Sequence, residues 1–252
     1  MKIRAGVELA SLTDVGCQRE NNEDSYRYWE PQDDKSFAAL GRLVIVADGM
    51  GGEEGGQIAS RTAVDVLAEF YAGSSEPDPQ KRLLGALIEA HHRIQRQARE
   101  HPALSSMGTT GTAFALINAG LYFVHVGDSR LYLLREGKLR TLTRDHTLIA
   151  RLLDSGLIRT EEAENHPQKH VLTSALGVPG DIEIDSPPQP VPILSGDVLL
   201  ICTDGLWGQM SRIEIERVLI AESPTKACRI LVDLARDRGG PDNITLAIMH
   251  IV

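Results

Sequence analysis

The sequence predicts an α+β fold in which antiparallel sheets carry helices on their outer faces. Its apolar runs, its helical blocks and their order along the chain point there. Runs of strand length occur at 43–47, 112–117, 121–126, 131–134, 198–203 and 244–251. Helical periodicity fills separate blocks at 58–70, 79–100 and 224–238. Two helices follow the early strands, several strands then lie close together, and a helix and a last strand finish the chain. This is not the regular strand–helix alternation of a doubly wound parallel sheet.

Taken in order, Leu43-Val44-Ile45-Val46-Ala47 is an unbroken buried-strand run. In the first helical block, Ala63, Val66, Leu67 and Phe70 follow the i, i+3, i+4, i+7 stripe. In the second, Leu83, Leu87, His91, Ile94 and Ala98 share one face. The runs at 112–117 and 121–126 precede a tight Gly127-Asp128 connection to 131–134, a hairpin signal. The run at 198–203 follows a proline-rich stretch, 185–192. The third helix takes Pro224 in its first turn and carries Ala227, Ile230, Leu231, Leu234 and Ala235 on its stripe. Neither 73–79 nor 185–192 reads as a domain boundary, because the strand after the second one ends in Asp204, which belongs with acids of the first half. One domain, 1–252, is expected.

Composition narrows the function. The chain has 252 residues with 26 basic and 35 acidic side chains, a formal net charge of -9. It is 42% hydrophobic and 24% charged, ordinary for a globular chain, and 23 glycines and 12 prolines are too few for low complexity. The acidic balance argues against nucleic acid and anionic membrane as partners. No apolar run approaches the roughly 18 residues of a membrane span, and Met1 to Glu8 shows no signal-peptide region. Cys17, Cys202 and Cys228 are odd in number and form no C-x-x-C, so neither a disulfide framework nor a cysteine zinc site is expected. A cytoplasmic protein is expected.

The informative feature is a recurring arrangement of apolar run, Asp and Gly. The run at 43–47 ends in Asp48-Gly49, the run at 198–203 in Asp204-Gly205, and the run at 121–126 meets Gly127-Asp128. Asn21-Asn22-Glu23-Asp24 and Gly239-Gly240-Pro241-Asp242-Asn243 flank the set. At any single site turn chemistry explains the dipeptide. Five acidic turns on one scaffold are different, since two like charges 4 Å apart cost about 4 kcal/mol at an effective dielectric near 20. A cluster of them is stable only around cations, and oxygen-only ligands select Mg²⁺ or Mn²⁺. Two ions sharing a carboxylate would lower the pKa of a bridging water and hold it for in-line attack on a phosphate ester. Arg19 suits the phosphate oxygens with its bidentate fork.

Competing chemistries fail on residues. No cysteine is followed by the arginine of C-x5-R, and there is no P-loop, H-E-x-x-H or G-x-S-x-G. The glycine-rich Gly49 to Gly55 carries Glu54 at the third glycine position of a dinucleotide loop. His125 in its apolar strand reads as a structural histidine, His91 as packing, Arg130 as an ion-pair holder of the acidic loops, Trp207 as packing and Cys202 as an inert buried thiol.

These residues resemble the metal-dependent type 2C (PPM) protein serine/threonine phosphatases in their compact bacterial form. The matching motifs are Thr13-Asp14-Val15-Gly16-x-x-Arg19-x-x-Asn22-Glu23-Asp24, Val46-Ala47-Asp48-Gly49-Met50-Gly51-Gly52, Gly108-Thr109-Thr110, Val126-Gly127-Asp128-Ser129-Arg130, Cys202-Thr203-Asp204-Gly205-Leu206 and Gly240-Pro241-Asp242-Asn243-Ile244-Thr245, in the family's order. The resemblance implies a four-layer α-β-β-α sandwich, two central antiparallel sheets flanked by antiparallel helices. It implies two Mn²⁺ or Mg²⁺ ions and a third, weaker site. Asp48 would bridge the two ions, with the Gly49 carbonyl, Asp204, Asp242, Glu23 and Asp24 completing their shells. Asp128 with Asp204 would form the third site. Arg19, Asp48 and Asp204 would be catalytic. Arg19, Asn243, His166 and His170 would meet substrate, the last two from a flap over about 143–180. The departures are Met50, where animal-type members carry His, Glu53 where bacterial ones carry His, and Lys169-His170 where the family often has Arg and Asn.

The expected activity is hydrolysis of phosphoserine and phosphothreonine in proteins by a monomer, with a serine/threonine kinase as functional opposite and substrate. The alternatives are a catalytically silent phosphoprotein-binding module on this fold, or a partner-switching phosphatase with one dedicated substrate. A silent member should lack one of Asp48, Asp204 and Asp242, and all three are present.

Overall fold

The computed structural model describes residues 3–51, 54–164 and 166–252; Glu53 lies outside them. In chain order the elements are β1 (Val7–Asp14), β2 (Asp24–Trp29), α1 (Asp34–Leu40), β3 (Arg42–Met50), α2 (Gly55–Gly73), α3 (Pro79–Glu100), β4 (Gly108–Thr109), β5 (Gly111–Ile117), β6 (Gly120–Val126), β7 (Arg130–Arg135) and β8 (Lys138–Thr141). There follow α4 (Leu148–Asp154), α5 (Thr160–Glu164), β9 (Val191–Pro192), β10 (Val198–Cys202), α6 (Asp204–Trp207), α7 (Arg212–Ala221), α8 (Pro224–Asp237) and β11 (Ile244–Ile251).

One sheet runs β1-β11-β10-β7-β8 and the other β2-β3-β5-β6-β9, with β4 added to β3. Every pairing is antiparallel. Alternation along each central strand separates three apolar layers. Leu43, Ile45 and Ala47 face α2 and α3, in a core with Leu67, Leu83 and Leu87. Val44 and Val46 face the other way, into a layer shared with Phe114, Leu131, Leu199, Ile201 and Met249 between the sheets. Leu200, Cys202, Leu246 and Ile248 face α7 and α8, against Ile215, Leu219 and Leu231. The result is a four-layer α-β-β-α sandwich. It also explains the long apolar runs: a central strand here buries both faces, so the few polar positions on it, such as Thr112 and His125, must be hydrogen-bonded internally.

The three sequence-read helices are α2, α3 and α8. On α3 the expected face holds, with Leu83, Leu87, His91 and Ile94 all buried. Pro79 stands at the start of α3, where the Asp78 side chain accepts from the amides of Gln80 and Lys81. On α2 the stripe needs correcting: Ala63, Val66 and Leu67 are buried but Phe70 is 41% exposed, and Tyr71 takes its place in the core. Phe70 instead lies over Gly85 of α3, where a Cβ would meet its ring at 3.3 Å. Tyr71 follows Leu67 by four residues and shares its buried face, whereas Phe70 stands on the flank toward α3.

Leu67→Ala should therefore destabilise the protein by about 2–5 kcal/mol, while Phe70→Ala should cost much less. Urea denaturation of both variants measures the difference, and equal losses would contradict this packing.

Candidate metal centre and cleft

The antiparallel register collects the acids at one end of the sandwich. Asp24 opens β2 directly opposite Asp48 near the end of β3. Asp204 begins α6 where β10 stops, and Cys202 pairs with both Leu246 of β11 and Arg130 of β7. Asp242 therefore leads into β11, and Asp128 closes the β6–β7 turn, beside the same strand ends. Thr109 and Thr110 hold Asp48 in place: both the Thr109 hydroxyl and the Thr110 amide donate to the Asp48 carbonyl at 2.8 Å, and the Asp48 amide donates to the Thr110 hydroxyl at 2.9 Å. This gives the Gly108-Thr109-Thr110 motif its role. Gly49 must be glycine, since a Cβ would stand 2.1 Å from the Gly56 carbonyl at the start of α2.

The electrostatics are strained. Burial, then Asp24, Asp204, Asp128 and Asp242, push the Asp48 carboxyl well above its ordinary value. Burial and Asp204 do the same to Asp128. Burial, opposed by hydrogen bonds from Thr245 and Thr203, raises Asp24 to about 7. Burial also raises Glu23, against the pull of Arg19. Asp24 accepts from the Thr203 hydroxyl at 2.9 Å through Oδ2, but its Oδ1, like Oδ1 of Asp204, is buried with no hydrogen-bond partner. Buried oxygens without donors, among carboxylates that repel one another, are suited to holding a cation. The all-oxygen donor set fits hard divalent ions. Among the described residues, no three of these carboxylates bring oxygens within 4.8 Å of one another. Such spacing suits ions that retain waters.

Glu23, Asp48, Asp128, Asp204 and Asp242 line a cleft of about 1000 Å³ together with Arg19, Gly49, Met50, Lys169 and His170. The Arg19 guanidinium donates to Asp242 at 2.9 Å and is half exposed. His170 Nδ1 stands 3.5 Å from Asp204 Oδ2. Asp24 lies beneath the floor rather than in the lining, hydrogen-bonded to Thr203 as described.

Two expected substrate contacts are placed elsewhere. His166 is not among the lining residues; its Nδ1 accepts from the Gln168 amide at 3.2 Å. Asn243 is 5% exposed, and its side chain is consumed by backbone. It accepts from the Glu23 amide at 2.8 Å and donates to the carbonyls of Val15 and Asn21 at 3.0 and 2.9 Å. A buried amide satisfied in this way cannot reach substrate; it shapes the loop that carries Arg19 and Glu23.

Arg130 forms an ion pair, but with none of the five acidic turns: it forks onto Asp145, in the segment after β8, at 2.9 and 2.7 Å. It also stacks 3.5 Å over Trp207, whose indole N–H donates to the Asp128 carbonyl at 2.9 Å. The sequence reading of Trp207 as packing misses this hydrogen bond, and it gives Thr203 no role of its own, because a threonine at the end of an apolar run carries no signal of its partners. His91 packs and also accepts the Gly177 amide at 3.1 Å, anchoring the end of the flap.

Comparison with known proteins agrees with this geometry. The family model for protein phosphatase 2C matches residues 18–223. The chain is similar to the serine/threonine phosphatase stp of Listeria welshimeri, 36% identical and covering 94% of this chain and 93% of that one. Among solved structures it is similar to the S. agalactiae serine/threonine phosphatase, with a TM-score of 0.87, 33% identity and coverage of 98% and 100%. The catalytic domain of the protein phosphatase PstP, solved in complex with 2 manganese ions, aligns with a TM-score of 0.82 and 33% identity over 98% of each chain. With the fold, the acidic cleft and these likenesses in agreement, the chain belongs to the protein phosphatase 2C family.

Proposed function

We propose that the chain removes phosphate from phosphoserine and phosphothreonine in proteins, using Mn²⁺ or Mg²⁺ in the acidic cleft. The observation that carries this reading is a cleft lined by Asp48 and Asp128, both with raised carboxyls, by Asp204, whose buried Oδ1 has no hydrogen-bond partner, and by one arginine fork. Asp48, Gly49, Asp204, Asp242 and Glu23 would hold two ions, with Asp24 beneath them, and Asp128 with Asp204 a third. Bound there, the ions would supply the positive charge that makes a water nucleophilic near neutral pH and draws phosphoryl oxygens into the cleft. The relative solved with manganese supports that choice of ion.

Arg19 is poised for the phosphate. Its contact with Asp242 uses one face of the fork, and the exposed remainder can donate to phosphoryl oxygens. Lys169 and His170 approach from the flap side and would meet acidic or phosphate groups of the protein substrate. Met50 lines the cleft and has no proton to give, so the proton for the leaving alkoxide would come from a group other than this residue. Phosphorylated proteins, a serine/threonine kinase among them, are the proposed partners of a cytoplasmic monomer. Among the described residues no helix is long and apolar enough to cross a membrane.

Purified protein should release phosphate from a phosphothreonine peptide with Mn²⁺, and chelator should stop it. Asp204→Asn should lower the rate at least about 100-fold, since losing an ion forfeits several kcal/mol of charge stabilisation. No release from the peptide or from an aryl phosphate would leave the silent binding module as the reading.

Arg19→Ala should lower kcat/KM by about 10- to 100-fold, the loss of one charge-assisted hydrogen bond to phosphate. An unchanged value on both substrates would remove Arg19 from the site.

The raised carboxyls also set a pH dependence. Asp24, Asp48 and Asp128 bind their protons more tightly folded than unfolded. Without cations their contribution to stability is full below the ordinary carboxylate range near 4, and it is lost as pH rises toward about 7, where Asp24 ionises. Metal-free Asp48→Asn should thus unfold at a higher temperature than the unsubstituted protein at pH 8, and this gain should shrink at pH 4. Calorimetry in chelator measures both, and a lower melting temperature at pH 8 would refute the repulsion.

A further inference from the structure

Outside the cleft lining, the buried His125 and His146 meet the half-buried Asp185. Their spacing suggests a metal site, but donor accounting excludes one. His125 is fully buried, and burial followed by the neighbouring His146 holds it down at about 4, so it is neutral with a single ring proton. Its Nε2 lies 3.0 Å from the Arg144 carbonyl, which can only accept, so the proton sits there. Its Nδ1 then accepts from the Thr112 hydroxyl at 2.8 Å. No lone pair remains for an ion.

His146 is different. It is 2% exposed, and it grips Gly127 from both sides. Its backbone N–H donates to the Gly127 carbonyl at 2.7 Å, and its ring Nδ1 accepts the Gly127 amide at 3.2 Å. An atom that accepts an N–H carries no proton, so the ring proton is on Nε2. That nitrogen has no hydrogen-bond partner within reach and faces Asp185 Oδ1 at 3.6 Å. Asp185 is held in turn: its backbone exchanges both hydrogen bonds with His125, at 2.9 and 3.0 Å, and its Oδ2 accepts from the Arg144 amide at 3.2 Å. The His146 carbonyl receives the Thr173 amide at 2.8 Å from the returning flap.

Gly127 needs such a grip. Its φ is +107°, and a Cβ there would stand 2.5 Å from the Thr110 side chain. The turn it opens is therefore tightly packed against the residue that holds Asp48, and the next residue is Asp128. We propose that His146 is a positioning residue for Asp128: the imidazole, oriented by Asp185, locks the Gly127-Asp128 turn so that the carboxylate faces the cleft. The consequence for cations rests on the reading of Asp128 as a ligand; the locking of the turn does not.

Two substitutions separate the ring's two ends. In Asn the side-chain oxygen can take the place of Nδ1, and in Gln the terminal amide takes the place of Nε2. His146→Asn can keep the Gly127 contact, whereas His146→Gln keeps only the Asp185 side. In metal-free protein, hydrogen exchange at the Gly127 amide should be about 10-fold faster in H146Q and within about 2-fold of the unsubstituted rate in H146N. Titration with Mn²⁺, followed by Trp207 fluorescence in a Trp29→Phe background, should show the weakest-bound ion losing about 10-fold in affinity in H146Q alone, the size expected for an outer-sphere partner. Equal effects of the two variants, or none, overturn the proposal. Should H146Q not fold, Asp185→Asn supplies the test, with faster Gly127 exchange expected and an unchanged rate overturning the lock. If Asp128→Ala leaves Mn²⁺ affinity untouched, the ligand reading fails while the exchange result still decides the role of His146.

Discussion

Mutual repulsion among carboxylates at one end of a double sheet is the constraint on which the rest of this structure depends. Asp48 and Asp128 are pushed far from their ordinary range by burial and by one another's neighbours. A fold can tolerate that only if the backbone carrying the acids is rigid, because any slack would let them swing apart into solvent. Antiparallel pairing on both sides of β3 and of β10 provides the rigidity. The apolar layer between the sheets makes the two strand sets one body. Cation binding then draws on energy already stored in the folded chain.

Rigidity at the strand ends comes from small polar residues used as backbone clamps. Thr109 and Thr110 hold Asp48, Thr203 ties Asp24 to the Thr245 amide, and Asn243 joins three points of the 15–23 loop. His146 belongs to the same class, reaching from the flap root to Gly127. Each clamp satisfies buried polar backbone that the turn would otherwise leave unpaired. They support the acids through the backbone, so the motifs around Asp48, Asp128, Asp204 and Asp242 are wider than the acids themselves. Arg130 and Trp207 extend the pattern with a stacked guanidinium and an indole bonded to the Asp128 carbonyl.

Legibility followed burial. The six strands with a neighbour on each side, β3, β5, β6, β7, β10 and β11, all stand out as apolar runs. The strands missed are β1, β2, β8 and β9 at the sheet edges, and the two-residue β4. An edge strand leaves one flank in solvent, so its sequence can alternate or turn polar, as Asp24-Ser25-Tyr26-Arg27 does in β2. The β8 edge is covered by a side chain from a distant helix, Glu216 accepting the Leu139 amide at 2.6 Å, and no local pattern announces that. Helix α7 escaped because only Ile215 and Leu219 of its ten residues are buried, too sparse a stripe to read.

The sequence by itself determined the chemistry: acids placed after apolar strands, no competing nucleophile motif, and one arginine ahead of the first acidic pair. Residue type and spacing carry that information because strand ends and turns are local. Tertiary structure alone decided which polar residues meet the cleft and which hold it together. Asn243 adjoins Asp242 in the chain yet turns into the loop, and His166 lies in the flap yet stays off the lining. Orientation is set by partners some 220 residues away, such as the carbonyls of Val15 and Asn21, and a linear pattern does not record which of its residues will be neighbours.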